Sequence, residues 1–229
     1  MMKILIIVVH PDDEVLGCGG SMATWVDQGH NVRVLFMSDG VSLRTAAPDY
    51  PITSAELVQQ RKDAAKRAAS RLGARLPDFL DFPDNQLDSV PLLKIIKAVE
   101  PVIESFHPDL VVTHHNNDLN IDHQITQKAV VTACRPQPGL SVKRILACEV
   151  PSSTEWQDPG SGPYFTPNWY VDISEHLETK LSALTEYSDE LREWPHSRSI
   201  DAVRHLARWR GATVGRPAAE AFMLIRNID

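Results

Sequence analysis

The chain has 229 residues, 43% of them hydrophobic, which suits one domain (residues 1–229) with a sizeable core. Its formal net charge of −7 excludes nucleic acid as the main partner, because phosphate binding needs a basic surface. Three cysteines without close-paired spacing (Cys18, Cys134, Cys148) fit reduced thiols in a cytoplasmic protein, and no run reads as a signal peptide or an integral membrane segment.

Lys3 to Val9 is a continuous apolar run, the pattern of a strand buried on both faces. It ends in His10-Pro11-Asp12-Asp13-Glu14, followed by Gly17, Gly19 and Gly20, which mark a turn. Concentrated charge at the end of a buried strand is costly unless a cation or chemistry uses it. Gly19 to Gln28 reads as a helix, and Asn31 to Met37 as a second strand ending at Ser38-Asp39-Gly40. A loop with Arg44 follows. Thr53-Ser54-Ala55-Glu56 is a capping box, and its helix runs to Leu72, with Gly73 as the stop. Arg61 falls on the apolar stripe of that helix (Leu57, Ala65, Ala68, Leu72), so it is either a buried ion-pair partner or a group facing a ligand.

Leu76 to Phe82 is a short strand that leads into Asp84. Pro91 opens a helix to Phe106, and Leu110 to Thr113 is the next strand. His107-Pro108-Asp109 repeats the opening tripeptide but precedes its strand, which puts it at the opposite end of the sheet. A second polar concentration, His114 to His123, follows that strand. Then come a helix from Asp122 to Cys134, a strand from Arg144 to Val150 and a long loop, 151–167, carrying Trp156, Tyr164 and Phe165. Loops of that length inside a domain are usually functional. The remaining elements are a strand from Trp169 to Ile173, a helix from Ser174 to Glu193, a helix from Arg198 to Arg210 and a strand from Ala221 to Arg226.

Strands alternating with helices predict an α/β fold: a Rossmann-like, doubly wound, mostly parallel sheet with helices on both faces and strand order 3-2-1-4-5. Ligands then bind where the order reverses, outside the carboxyl ends of strands 1 and 4. Those are the strands followed by His10–Asp13 and by His114–His123.

A catalytic zinc site takes three His or carboxylate ligands and keeps one position open. His10 and Asp13 supply two from one turn. His114, His115 and His123 are candidates for the third, and His123 is preferred because it begins a helix beside Asp122 and Asp118, two acceptors able to orient its ring. Asp12 is spare, and is the natural general base for a water activated by the cation. Such a set suits hydrolysis of an amide.

At these residues the sequence resembles the PIG-L/LmbE-like de-N-acetylases, zinc enzymes that remove acetyl from N-acetylglucosamine-type sugars. The resemblance rests on the strand followed by His10-Pro11-Asp12-Asp13-Glu14 and Leu16-Gly17-Cys18-Gly19-Gly20, and on Asp122-His123 after the fourth strand. It implies a Rossmann-like fold, with His10, Asp13 and His123 as zinc ligands and Asp12 as general base. Arg61 corresponds to an arginine that contacts substrate, and Asp84 to a carboxylate that holds sugar hydroxyls. Asp39 and Arg44 border the same pocket. The implied partner is a small N-acetylated sugar or glycoconjugate, and family analogy favours a homo-oligomer. Fe2+ or Co2+ would also accept two histidines and a carboxylate.

One position departs from the family. Many relatives have a histidine three residues before the ligand His, where this chain has Asn120. An amide can donate to an oxyanion but cannot act as an acid. Either Asp12 performs both proton transfers, or His115 or His196 supplies the acid; the first is favoured. Trp156 or Tyr164 offers a flat face for a sugar ring, or else packs the loop, and Glu220 reads as structural. Two other functions compete with deacetylation: a metal-dependent hydratase on the same scaffold, and a non-catalytic metal-binding protein.

Overall fold

The opening apolar run forms an inner strand, third from one edge, of a seven-stranded sheet ordered β3-β2-β1-β4-β5-β7-β6. The computed structural model describes residues 1–41 and 54–229. The strands are β1 (Lys3–Val8), β2 (Asn31–Ser38), β3 (Asp78–Phe82), β4 (Leu110–His114), β5 (Arg144–Cys148), β6 (Trp169–Asp172) and β7 (Ala219–Asn227). The first five pair in parallel in the expected order, and β7 and β6 extend the sheet as antiparallel partners.

The period-2 geometry of β1 explains why the sheet is covered on both sides. Ile4, Ile6 and Val8 face one core, filled from α1 (Asp13–Asp27), α2 (Ser54–Arg71), α5 (Leu177–Leu184) and α6 (Ile200–Ala212). Leu5, Ile7 and Val9 face the other, filled from α3 (Leu92–Phe106) and α4 (Ile121–Ala133). Among the described residues no helix is long and apolar enough to cross a membrane.

Three local expectations come out differently. α1 begins at Asp13 rather than Gly19 and breaks at Cys18, where φ is −151°. The glycines serve close packing as much as turning: a Cβ on Gly17 would lie 2.9 Å from Cys148 Sγ, and one on Gly20 would lie 2.7 Å from Ile173 Cδ1. The helix expected from Ser174 to Glu193 is only Leu177–Leu184, because Tyr187 and Glu190 beyond it turn inward and are buried. The Thr53 capping position and Arg44 lie outside the described residues. Asp109 accepts a hydrogen bond from Lys3 N at 2.8 Å, which fixes the second His-Pro-Asp at the entry end of β1, away from the first.

Candidate metal centre and cleft

β1 and β4 are neighbours, so the polar runs that follow them converge. His10, Asp13 and His123 each bring one ligand-capable atom to within 4.8 Å of the others, the one such cluster among the described residues. Asp13 Oδ2 lies 3.4 Å from His10 Nδ1 and 3.3 Å from His123 Nε2. His123 Nε2 is buried without a hydrogen-bond partner. A carboxylate oxygen between two imidazoles, one of them orphaned, is a donor set that fits a divalent cation. Burial opposes charging His10 and His123, but Asp13 with Asp84 and Asp118 outweighs it, pushing their pKa values up to about 10 and about 9. The same cluster, with His123 foremost, holds Asp13 well below the usual carboxylate range against the effect of its burial.

The carboxylate that faces His123 Nδ1 is that of Asp118, at 3.1 Å. Thr154 Oγ1 donates to its Oδ2 at 2.6 Å and Ser153 Oγ donates to its Oδ1, so the 151–167 loop grips the carboxylate that faces His123. Asp122, expected to orient His123, instead accepts from Leu87 N at 3.0 Å and pins the turn before α3. His114 is fully buried and stacks on the His123 ring with centroids 3.8 Å apart, while its Nε2 accepts from Val9 N at 2.9 Å. That bond spends the nitrogen nearest Asp13, and His114 buttresses the His123 ring.

Asp12 stands beside the cluster with φ at 141°, a conformation that non-glycine residues rarely adopt. Its N–H donates to Glu14 Oε2 at 3.0 Å, and Tyr187 Oη donates to Glu14 Oε1 at 2.5 Å. Glu14 is therefore a brace for the Asp12 backbone. Burial pushes Asp12 up to about 6, against the pull of Arg61 and Arg198.

A cleft of about 310 Å³ opens over these groups, lined by His10, Asp12, Asp13 and His123 and by Arg61, Asp84 and Asn120. Asp84 Oδ1 is 3.1 Å from His10 Nε2. Asn120 caps α4: its Oδ1 accepts from Asp122 N at 2.8 Å and its Nδ2 donates to Asn85 at 3.3 Å. Trp156, half-exposed, lines the cleft and meets His196 edge-on at 5.7 Å. Tyr164 and Asp39 are not among the lining residues; Gly40 is. His115 packs the loop through Pro163 O, 3.1 Å away, and Phe165. Neither His115 nor His196 lines the cleft. Glu220 is structural: it pairs with Lys180 at 2.5 Å and accepts from Gly20 N and Ser21 N.

Two groups that line the cleft and one packed behind it escape sequence reading. Glu190, Arg198 and Tyr187 come from the irregular segment after α5. The only hint was a dense run of ionisable residues, Glu186 to Arg198, which reads equally well as a solvated surface.

Residues 5–134 match the family model described as PIG-L, GlcNAc-PI de-N-acetylase. The chain is 28% identical to a diacetylchitobiose deacetylase of Thermococcus kodakarensis over 233 residues, 99% of this chain and 84% of that protein. In fold it is similar to N,N′-diacetylchitobiose deacetylase from Pyrococcus horikoshii, with TM-score 0.79, 22% identity, and 98% and 84% of the two chains covered. It is also similar to the 4-carboxy-2-hydroxymuconate hydratase GalB from Pseudomonas putida, with TM-score 0.78, 20% identity, and 100% and 98% covered.

Proposed function

The chain belongs to the PIG-L de-N-acetylase family, and on that premise we propose that it hydrolyses the N-acetyl group of an amino-sugar substrate, using a divalent cation such as zinc held by His10, Asp13 and His123. The observation that carries this reading is the pairing of a complete candidate ligand set with a spare carboxylate: Asp12 lines the cleft, and its Oδ2 is buried without a hydrogen-bond partner. When bound, the cation would supply Lewis acidity, which makes a water at the site a better nucleophile near neutral pH.

The protein's own groups do the rest. Asp12 takes the proton of the attacking water. Its pKa, raised to about 6, lets it hold that proton and return it to the leaving amine nitrogen. This gives Asp12 both transfers, and the two histidines that could have shared them face elsewhere. Asn120 commits its oxygen to the α4 cap and one N–H to Asn85, which leaves its second N–H to donate toward the oxyanion or a sugar hydroxyl. Arg61 and Asp84 flank the reacting groups as polar walls, and Trp156 offers a flat face at the mouth.

The direct test is acetate release from N-acetylglucosamine and N,N′-diacetylchitobiose by the zinc-loaded protein. Acetate at the same rate from the Asp12→Asn variant would remove the base assignment. No acetate from any N-acetylated sugar, together with hydration of an unsaturated carboxylic acid, would replace hydrolysis by the lyase reading.

A further inference from the structure

Two arginines approach Asp12 and stop short of it. Arg61 Nη2 and Arg198 Nη1 each lie 3.5 Å from the same atom, Asp12 Oδ2, which accepts no hydrogen bond. Both guanidinium groups come closer to Glu190: Arg61 Nη1 is 3.0 Å from Oε1, and Arg198 Nη1 is 3.1 Å from Oε2. Glu190 is 2% exposed. The arginines are also held from behind. Arg61 packs over the Tyr187 ring at 5.3 Å, and Arg198 Nε donates to Ser152 Oγ at 2.5 Å.

A buried carboxylate beside two guanidinium groups ordinarily closes into charge-assisted hydrogen bonds of about 2.7–2.9 Å. Such bonds would occupy the lone pairs of Asp12 Oδ2, which then could not accept from another donor. Here a second carboxylate competes for the same donors and holds the nearer contacts. The four side chains together are neutral, two positive and two negative. Removing the charge of Glu190 would leave two guanidinium groups facing one carboxylate.

Resting on the hydrolytic reading above, we propose that Glu190 is a positioning residue that holds Arg61 and Arg198 off Asp12 Oδ2, so that this oxygen stays open to a hydrogen bond from the reacting groups. Glu190 and Arg198 lie beyond residues 5–134, the part of the chain that the family model matches.

The experiment compares the zinc-loaded wild type with Glu190→Gln, Arg198→Gln and the double variant, by acetate release from N,N′-diacetylchitobiose and by crystal structures of the wild type and Glu190→Gln. Glu190→Gln is expected to lose about 10²-fold in kcat with KM changed less than about threefold. Its structure is expected to show a guanidinium nitrogen within about 2.9 Å of Asp12 Oδ2. Adding Arg198→Gln to Glu190→Gln should recover about tenfold in kcat, a reversal that simple structural damage does not produce. Glu190→Asp keeps the charge but retracts it by one methylene, and should show the same shortened contact with a smaller loss, which covers the case in which Glu190→Gln folds poorly. A double variant no faster than Glu190→Gln, or arginines that stay near 3.5 Å from Asp12 in the variant structure, overturns the proposal. If the wild type releases no acetate, the hydrolytic reading fails, while the variant structure still decides whether Glu190 keeps the arginines away.

Discussion

Asp12 concentrates the chemistry and the strain of the cleft in one residue. A non-glycine φ of 141° costs about 1–3 kcal/mol, and it persists only where surrounding contacts impose it. Glu14 and Tyr187 impose it here through the Asp12 N–H. Asp12→Asn keeps that backbone contact and all three candidate ligands. It is therefore expected to retain bound zinc while kcat for acetate release falls by about 10²–10⁴-fold. Metal content by mass spectrometry checks the first half, and loss of zinc would make Asp12 a ligand. Asp118→Asn should behave in the opposite way. It weakens the grip on His123 and should lower zinc affinity by about 10–100-fold, read by competition with a chelator. His10 to Glu14 was legible because five consecutive residues carry the signal. Asp118 was legible only as a neighbour of His123, since nothing in its spacing separates it from Asp122. Which of the two faces the imidazole depends on how α4 begins, and that is set by the Asn120 cap.

At the scale of elements, β1 to β5 and their order were readable, because alternating strands and helices leave few right-handed arrangements. The helices were less readable where tertiary contacts decide. α1 is two helical pieces joined at Cys18, and the second starts on the Glu220 carboxylate, which accepts from Gly20 N at 3.0 Å and Ser21 N at 2.6 Å. A carboxylate at a helix N-terminus is favourable, but this one is buried and needs Lys180, which also donates to Leu16 O at 2.8 Å. Partners about 200 positions apart in sequence leave no local pattern to find. Lys180→Met removes one partner and strands the other charge, so it should destabilise the protein by about 3–5 kcal/mol. Pairing it with Glu220→Gln should restore part of that loss. Urea unfolding of the two variants checks this, and a double variant weaker than Lys180→Met would mean that Glu220 acts chiefly as the helix cap.

In the whole molecule the cleft joins parts that the chain keeps far apart: the end of β1, the start of α4, the 151–167 loop and the segment after α5. The central knot is His10, Asp13 and His123, so its charge state bears on overall stability. Without a cation, His10 and His123 have folded pKa values of about 10 and about 9, raised from 6.5. The folded state then holds protons that the unfolded chain has released. That contribution is fully present below about pH 6.5 and is lost as pH rises through 9 to 10. A bound cation displaces those protons, so protons compete with it at low pH and its apparent affinity rises with pH. Stabilisation by ligand follows RT ln(1 + [L]/Kd), about 2.7 kcal/mol at 100 times Kd. The difference in Tm between zinc-loaded and chelator-stripped protein, at fixed free zinc, should therefore be small near pH 6 and grow toward pH 9. Calorimetry in buffers of different ionisation enthalpy should show net proton release on zinc binding near pH 7. A Tm difference that is flat or shrinks with pH, or binding without proton release, would mean that the cation does not sit between His10 and His123, since replacing their protons is what ties its affinity to pH.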